Sequence, residues 1–76
     1  MLVSQDTLFY AFRYALGRAS FAPKIVIDDV LKNLDLMDEH SIKQIIREIE
    51  TAPSLGHDMD KIGWLVFKEK LEQVVE

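Results

Sequence analysis

Apolar residues recur at helical spacing along most of the chain, and the first such stretch covers residues 6–19. With Phe12 at the centre of a wheel of 3.6 residues per turn, most apolar residues of this stretch fall within about 60° of it. A stripe of that width is typical of a helix that packs one face into a core. Ser4 or Asp6 can cap this helix, and the pattern predicts that it runs over 7–19.

Three further segments repeat apolar residues with the same period, at 23–34, 39–51 and 59–75. Pro23 suits the first turn of the second helix, although the β-branched residues at 24–27 leave a short strand there as an alternative. Asp38 is expected to cap the third helix, with Ser41 as a competing start. Asp58 is expected to cap the fourth.

These segments predict an all-α fold, a small bundle of four helices that forms a single domain over residues 1–76. A core of this size seldom contributes more than about 3–5 kcal/mol to stability. The chain has no cysteine, so a disulfide cannot add to it. Dense packing, self-association or a partner must supply the rest. The residues expected in the core are Phe12, Leu16, Ile27, Leu31, Ile45, Ile49, Trp64, Phe67 and Leu71.

The fourth helix carries two apolar faces. One belongs to the predicted core, and the other consists of Ile62, Leu65 and Val66 on the opposite side of the wheel. A surface helix needs only one apolar stripe, so the second requires a cover. We therefore expect a homo-oligomer whose interface includes Ile62, Leu65 and Val66.

The formal net charge of −4 argues against direct binding to DNA or RNA, because such binding rests on basic side chains that neutralise phosphates. Residues 1–27 hold three bases and one acid, a balance of +2, whereas residues 28–76 hold six bases and twelve acids, a balance of −6. No apolar run approaches the roughly 18 residues of a membrane span, and no signal peptide is recognisable. We therefore expect a cytoplasmic protein that makes no membrane contact.

The outer face of the first helix carries aromatic and guanidinium groups where lysine and glutamate are usual. Arginine stacks on aromatic rings and binds carboxylates or phosphates through two parallel hydrogen bonds. Alternatively, the two phenol rings pack under a second layer of helices, with only their hydroxyls in water. The candidate partner-binding residues of this face are Tyr10, Arg13, Tyr14 and Arg18.

A cluster of acids follows in the second quarter of the chain, offset only by Lys32. Such a cluster can imitate a phosphate backbone and bind a basic groove of a larger partner protein. The alternative is a solvated helix face with two capping residues. The candidate partner-binding acids are Asp28, Asp29, Asp35, Asp38 and Glu39.

Groups suited to catalysis are scarce in this sequence. The serines stand at cap or loop positions without the glycines of a nucleophile elbow, and three scattered glycines form no phosphate-binding loop. The segment 57–60, His-Asp-Met-Asp, could offer metal ligands, but helix capping and the helix dipole explain both of its acids. We expect no enzyme activity, no cofactor and no metal site.

The motif Phe-Arg-Tyr-Ala-Leu-Gly-Arg at 12–18, followed by Asp-Lys-Ile-Gly-Trp at 60–64, resembles small orphan proteins encoded by bacteriophages. These proteins share such a helix and end with an Asp-x-x-x-Trp helix. The resemblance implies a phage accessory protein that binds and inhibits a host defence protein, such as a CRISPR effector.

The alternative of a different class is an oligomeric module that sequesters a phosphate-bearing nucleotide signal. In that case Arg13 and Arg18 of adjacent subunits grip the phosphates, and Tyr10 or Tyr14 stacks on the base.

Overall fold

The computed structural model describes residues 4–17, 23–56 and 58–76. Four α-helices follow one another within these ranges, and none of the residues in them lies in a β-strand. The predicted all-α fold with four helices is confirmed. The helices are α1 (Gln5–Leu16), α2 (Pro23–Lys32), α3 (Glu39–Thr51) and α4 (Asp58–Val75), and a short 3-10 helix (Leu34–Leu36) leads from α2 to α3.

Capping residues fix both ends of α1. The Ser4 hydroxyl accepts a hydrogen bond from the Thr7 backbone N–H at 3.2 Å, so the helix begins two residues before its predicted start. Gly17 is the C-cap, and its N–H donates to the Arg13 carbonyl at 3.0 Å. The predicted end at residue 19 is wrong for α1, because a glycine is costly inside a helix and favourable at its end.

The start of α3 is the one that the sequence predicts. An Asp38 carboxylate oxygen accepts from the Ser41 backbone N–H at 2.7 Å, so the competing start at Ser41 is wrong. The strand considered at 24–27 is also wrong, since these residues lie inside α2. That helix ends before residue 34, and the Asn33 side chain donates to the Asp29 carbonyl at 2.8 Å.

The start of α4 differs by one residue from its prediction. Asp58 lies in the first helical turn rather than before it, together with Asp60. Acids in this turn interact favourably with the positive end of the helix dipole.

The core is centred on Phe12, which is fully buried and meets the rings of three other aromatic residues. Its ring centroid lies 5.7 Å from that of Trp64 and 6.4 Å from that of Phe67. The first pair is edge-to-face and the second is tilted, and aromatic rings prefer such arrangements to a face-to-face stack. Six of the nine predicted core residues are buried. The buried residues are Leu8, Phe12, Ala15, Val26, Val30, Met37, Ile42, Ile45, Ile46, Ile49, Trp64, Phe67 and Leu71.

Three predicted core residues, Leu16, Ile27 and Leu31, are only partly buried and pack against the core from its edge. In α2 the fully buried positions are Val26 and Val30 instead. Ile27 lies towards α4, where its terminal methyl would be 3.9 Å from a Cβ at Gly63. The prediction of a core role for these three is therefore wrong in degree, because neighbouring helices determine which part of an apolar face is enclosed.

Side chains join α1 to α3 at two levels. At the first, the Asp38 backbone N–H donates to Gln5 Oε1 at 2.7 Å, and at the second, Arg13 binds Glu48. The start of α1 thus meets the start of α3, and their later turns meet as well. The two helices consequently run in the same direction, with the outer face of α1 turned away from the core.

Candidate protein-binding surfaces

The outer face of α1 presents two tyrosines four residues apart, a spacing that places them on one side of a helix. Tyr10 is 75% exposed and Tyr14 is 44% exposed. Their rings are therefore not packed under a second layer of helices, which was the alternative for this face. We call Tyr10, Arg13 and Tyr14 the tyrosine face.

Arg13 is held between an aromatic ring and a carboxylate. Its Nε donates to Glu48 Oε1 at 2.9 Å and its Nη2 donates to Glu48 Oε2 at 3.0 Å. Its Cζ lies 4.7 Å from the ring centroid of Phe9, within the range of a cation–π contact. These contacts fix the guanidinium in one place although the side chain is 58% exposed.

The hydrogen bonds from Arg13 to Glu48, with the negative charge of that carboxylate, raise the pKa of Arg13 above its ordinary value. The Gln44 side-chain amide also donates to Glu48 at 3.4 Å. Glu48 is the partner that sequence reasoning missed. It lies 35 residues from Arg13 on another helix, so no local pattern points to the pair.

Arg18 lies outside the described residues, as does His57. The predicted contribution of Arg18 to the tyrosine face therefore stays a prediction.

The five acids of the predicted cluster divide into two groups. Asp38 and Glu39 have partners within the chain: Asp38 caps α3 and accepts from Gln5 Nε2 at 3.3 Å, and Glu39 pairs with Lys43 at 3.4 Å. The hydrogen bonds that Asp38 accepts from Ser41, and then from Gln5, lower its pKa below the ordinary value.

The other three acids are Asp28, Asp29 and Asp35. All are exposed, and within the described ranges none of their carboxylates has a hydrogen bond or ion pair. Asp28 and Asp29 lie on α2, and Asp35 lies in the 3-10 helix that follows it. We call these three the acidic patch, because their charges are available to a partner.

The outer face of α4 is apolar, as the wheel indicates. Ile62 is 57% exposed, Leu65 40% and Val66 45%. Sequence reasoning missed Met59, which is 82% exposed and lies on the same side at the start of the helix. We call these four residues the α4 outer face. No other described element covers it, which leaves a row of large apolar side chains in contact with water.

The described ranges contain neither a metal-binding cluster nor a membrane-spanning helix. No three histidines or acids in them are placed to hold a metal ion. None of their helices has the length and apolarity needed to cross a bilayer.

No family model, curated protein or solved structure matches this chain. Its function must therefore be argued from these three surfaces.

Proposed function

We propose that this protein is a phage-type accessory protein that inhibits a larger host defence protein, such as a CRISPR effector, by direct protein–protein binding in the host cytoplasm. The observation that carries the binding role is the tyrosine face, where Tyr10 is 75% exposed beside a fixed guanidinium. The kind of partner rests on the resemblance of the motif at 12–18 to phage accessory proteins.

The residue types of the tyrosine face are those that dominate binding energies at protein interfaces. Tyrosine and arginine are enriched among hot-spot residues, whose truncation to alanine typically costs about 2–4 kcal/mol of binding free energy. Tyrosine offers a large contact area while losing little side-chain entropy. Arg13 is already ordered by Glu48 and Phe9, so part of the cost of ordering it does not recur on binding.

The acidic patch supplies a second, longer-range element of recognition. Asp28, Asp29 and Asp35 are exposed without partners among the described residues, on a chain with a net charge of −4. Charges of this kind accelerate association with a basic groove and favour one docking orientation. They support a basic surface on the larger partner rather than direct contact with nucleic acid.

The nucleotide-sequestering alternative has weaker support. It needs the Arg13 fork for phosphate, yet that fork already binds both oxygens of Glu48. A phosphate would have to displace a carboxylate from a bidentate pair before it gained any binding energy.

We also propose that the chain acts as a homo-oligomer assembled through Ile62, Leu65 and Val66. The support is their exposure on α4, which leaves a face that water solvates poorly. This face is separate from the tyrosine face, so an oligomer can present several copies of the latter to its partner.

Affinity capture from bacterial lysate tests the proposed function, with mass spectrometry of retained proteins and of small molecules released on denaturation. We expect a retained protein and no nucleotide. Tyr10→Ala should then weaken binding of the purified partner by about tenfold or more, since a hot-spot tyrosine contributes at least this much. Val74→Ala is the matched control, because Val74 is 51% exposed near the end of α4, outside the three surfaces described above, and its loss should leave affinity unchanged.

Charge reversal separates the two functional classes. Asp28→Lys with Asp29→Lys should slow association with a basic partner and reduce the salt dependence of binding. The same change should hardly affect nucleotide capture. Recovery of a nucleotide that Arg13→Ala abolishes, with no protein retained, would contradict the proposed function and support the alternative.

A further inference from the structure

A cavity of about 510 Å³ opens where α1 and α3 end, beside the loop at 52–56 and the first turns of α4. It is separate from the exposed rings of Tyr10 and Tyr14, which do not line it. Residues of its wall include Leu16, Thr51, Pro53, Leu55, Asp60 and Trp64, and the Arg13–Glu48 pair forms one side.

Asp60 is the acid of the cavity wall that has no charged side-chain partner within the described ranges, although it lies near the positive end of the α4 dipole. It is half-buried, and within the described ranges it makes no hydrogen bond or ion pair. The other acid in the wall, Glu48, is neutralised by Arg13. A carboxylate partly withdrawn from water without a partner loses solvation that a bound cation could restore.

The loop at 52–56 turns next to Asp60 through a glycine with a positive φ. Gly56 has a φ of +87°, a conformation that other residues rarely adopt. A Cβ at this position would lie 3.4 Å from Asp60 Oδ2, an ordinary van der Waals distance, so the loop packs directly beside the carboxylate.

Two helix C-termini, with negative dipole ends, meet the cavity, against the single positive N-terminus of α4. The last residues of α1 and α3, Leu16 and Thr51, both line the cavity. A helix C-terminus carries the equivalent of about half a negative charge from carbonyls without helical partners. The last turn of α3 contains no basic residue, and the basic residue in the last turn of α1, Arg13, is already paired with Glu48. The cavity therefore favours a positive ligand.

Apolar side chains form part of the remaining wall, beside Thr51 and Ser54, and they restrict the kind of cation that fits. Pro53 and Leu55 line the space and can contact methylene groups, whereas Trp64 is only 2% exposed and meets it at an edge. A bare metal ion needs several oxygen ligands, and no three acids or histidines of the described ranges are grouped to supply them. An organic cation with an alkyl chain fits both the charge and the apolar wall.

We propose that this cavity binds an alkylguanidinium or alkylammonium group, with its charged head at Asp60 and its methylene chain against Pro53 and Leu55, close to Trp64. Such a group is carried by an arginine or lysine side chain and also by free polyamine-like amines. The site does not depend on the defence protein proposed above, because its evidence lies entirely within the cavity.

The single tryptophan of the chain provides the readout, because Trp64 lines the cavity. We expect n-butylguanidinium to change Trp64 fluorescence, and the indole N–H signal in NMR, in a saturable way. The neutral isostere n-butylurea should bind at least about tenfold more weakly, since a charge-assisted hydrogen bond is lost. This comparison uses the wild-type protein and does not depend on how a variant folds.

Asp60→Asn should weaken n-butylguanidinium binding by about tenfold or more. Asp58→Asn is the matched control, because Asp58 lies in the same first turn but does not line the cavity, and it should keep wild-type affinity. Equal binding of the cation and n-butylurea, wild-type affinity in Asp60→Asn, or no saturable change would each overturn the proposal.

The source of the cation is tested with two more probes. A blocked Gly-Arg-Gly peptide that binds as well as n-butylguanidinium assigns the cavity to a partner's side chain. Agmatine that binds while the peptide does not assigns it to a free amine. Either result supports the cation site, and failure of both probes overturns it. A Tyr10→Ala variant that loses its protein partner but still binds n-butylguanidinium separates this site from the proposed function.

Discussion

Asp38 shows how one side chain can connect two helices and give stability a dependence on pH. Its carboxylate caps α3 at Ser41 and accepts from Gln5 of α1. Both contacts favour the charged form and hold the pKa of Asp38 below its ordinary value. A carboxylate with a lowered pKa stabilises the fold above its unfolded pKa of about 3.9, and this stabilisation is lost as the pH falls through the folded pKa.

We predict that Asp38→Asn makes the thermal midpoint less sensitive to acid. Asparagine keeps an oxygen for the cap but cannot titrate, so wild type should be the more stable protein near neutral pH and lose this advantage below about pH 4. Circular dichroism melts across this range measure the difference. Asp35→Asn is the control, because the Asp35 carboxylate has no partner in the described ranges. Parallel profiles for wild type and Asp38→Asn would contradict the prediction.

The role of a single residue can be predicted from the sequence when its partner lies nearby in the chain. Asp38 could be recognised as a cap because its partner, Ser41, lies three residues away. Arg13 could be recognised as an unusual surface residue, but its partner Glu48 could not. That pair depends on the relative placement of α1 and α3, which a pattern within one helix does not contain.

At the scale of whole helices, the width of the apolar stripe decides how well a buried face can be predicted. In α3 all four isoleucines are buried and the opposite face is charged, so the stripe has one orientation. In α2 three apolar residues stand in succession at 25–27, so the wheel does not determine which of them faces the core. The contacts with α1 and α4 then select Val26 and Val30 for the core.

The Arg13–Glu48 pair predicts a coupling between α1 and α3. Glu48→Gln and Arg13→Gln should each lower the thermal midpoint by a few degrees, since a bidentate pair is lost in either case. The double variant should be no less stable than the less stable single variant, because both remove the same interaction.

The control for this pair is Lys43→Gln, which removes a pair with Glu39 whose side chains are both about 60% exposed and leaves the first-turn carboxylate of α3 in place. Exposed pairs of this type contribute little, so its midpoint should stay at the wild-type value. Additive losses in the Arg13 and Glu48 double variant would show that the two residues act independently.

For the whole molecule, the sequence predicted the fold class better than the function. Period and capping fix the four helices, because both are properties of short segments. The cavity at Asp60 could not be predicted, since its wall comes from α1, α3, α4 and a loop. Binding roles depend further on a partner that the chain does not encode, so exposure of Tyr10 identifies a surface but not its ligand.

The α4 outer face leads to the last prediction, which concerns the assembled state. Met59, Ile62, Leu65 and Val66 expose apolar area that a second copy can cover. We expect sedimentation equilibrium to give a mass above 8.8 kDa that rises with concentration. Leu65→Lys should return the mass to that of the monomer while leaving the helical spectrum unchanged, because Leu65 is 40% exposed and lies outside the core.

Val74→Lys is the matched control for this substitution, since Val74 is 51% exposed on α4 but lies eight residues beyond Val66, about 12 Å further along the helix axis. It should keep the mass of wild type. Tyr10→Ala should keep it too, because the tyrosine face lies on α1. A wild-type protein that stays at 8.8 kDa at high concentration would show that the outer face does not join copies of this chain. The apolar face would then be available to the larger partner, and Leu65→Lys should weaken capture of that partner instead.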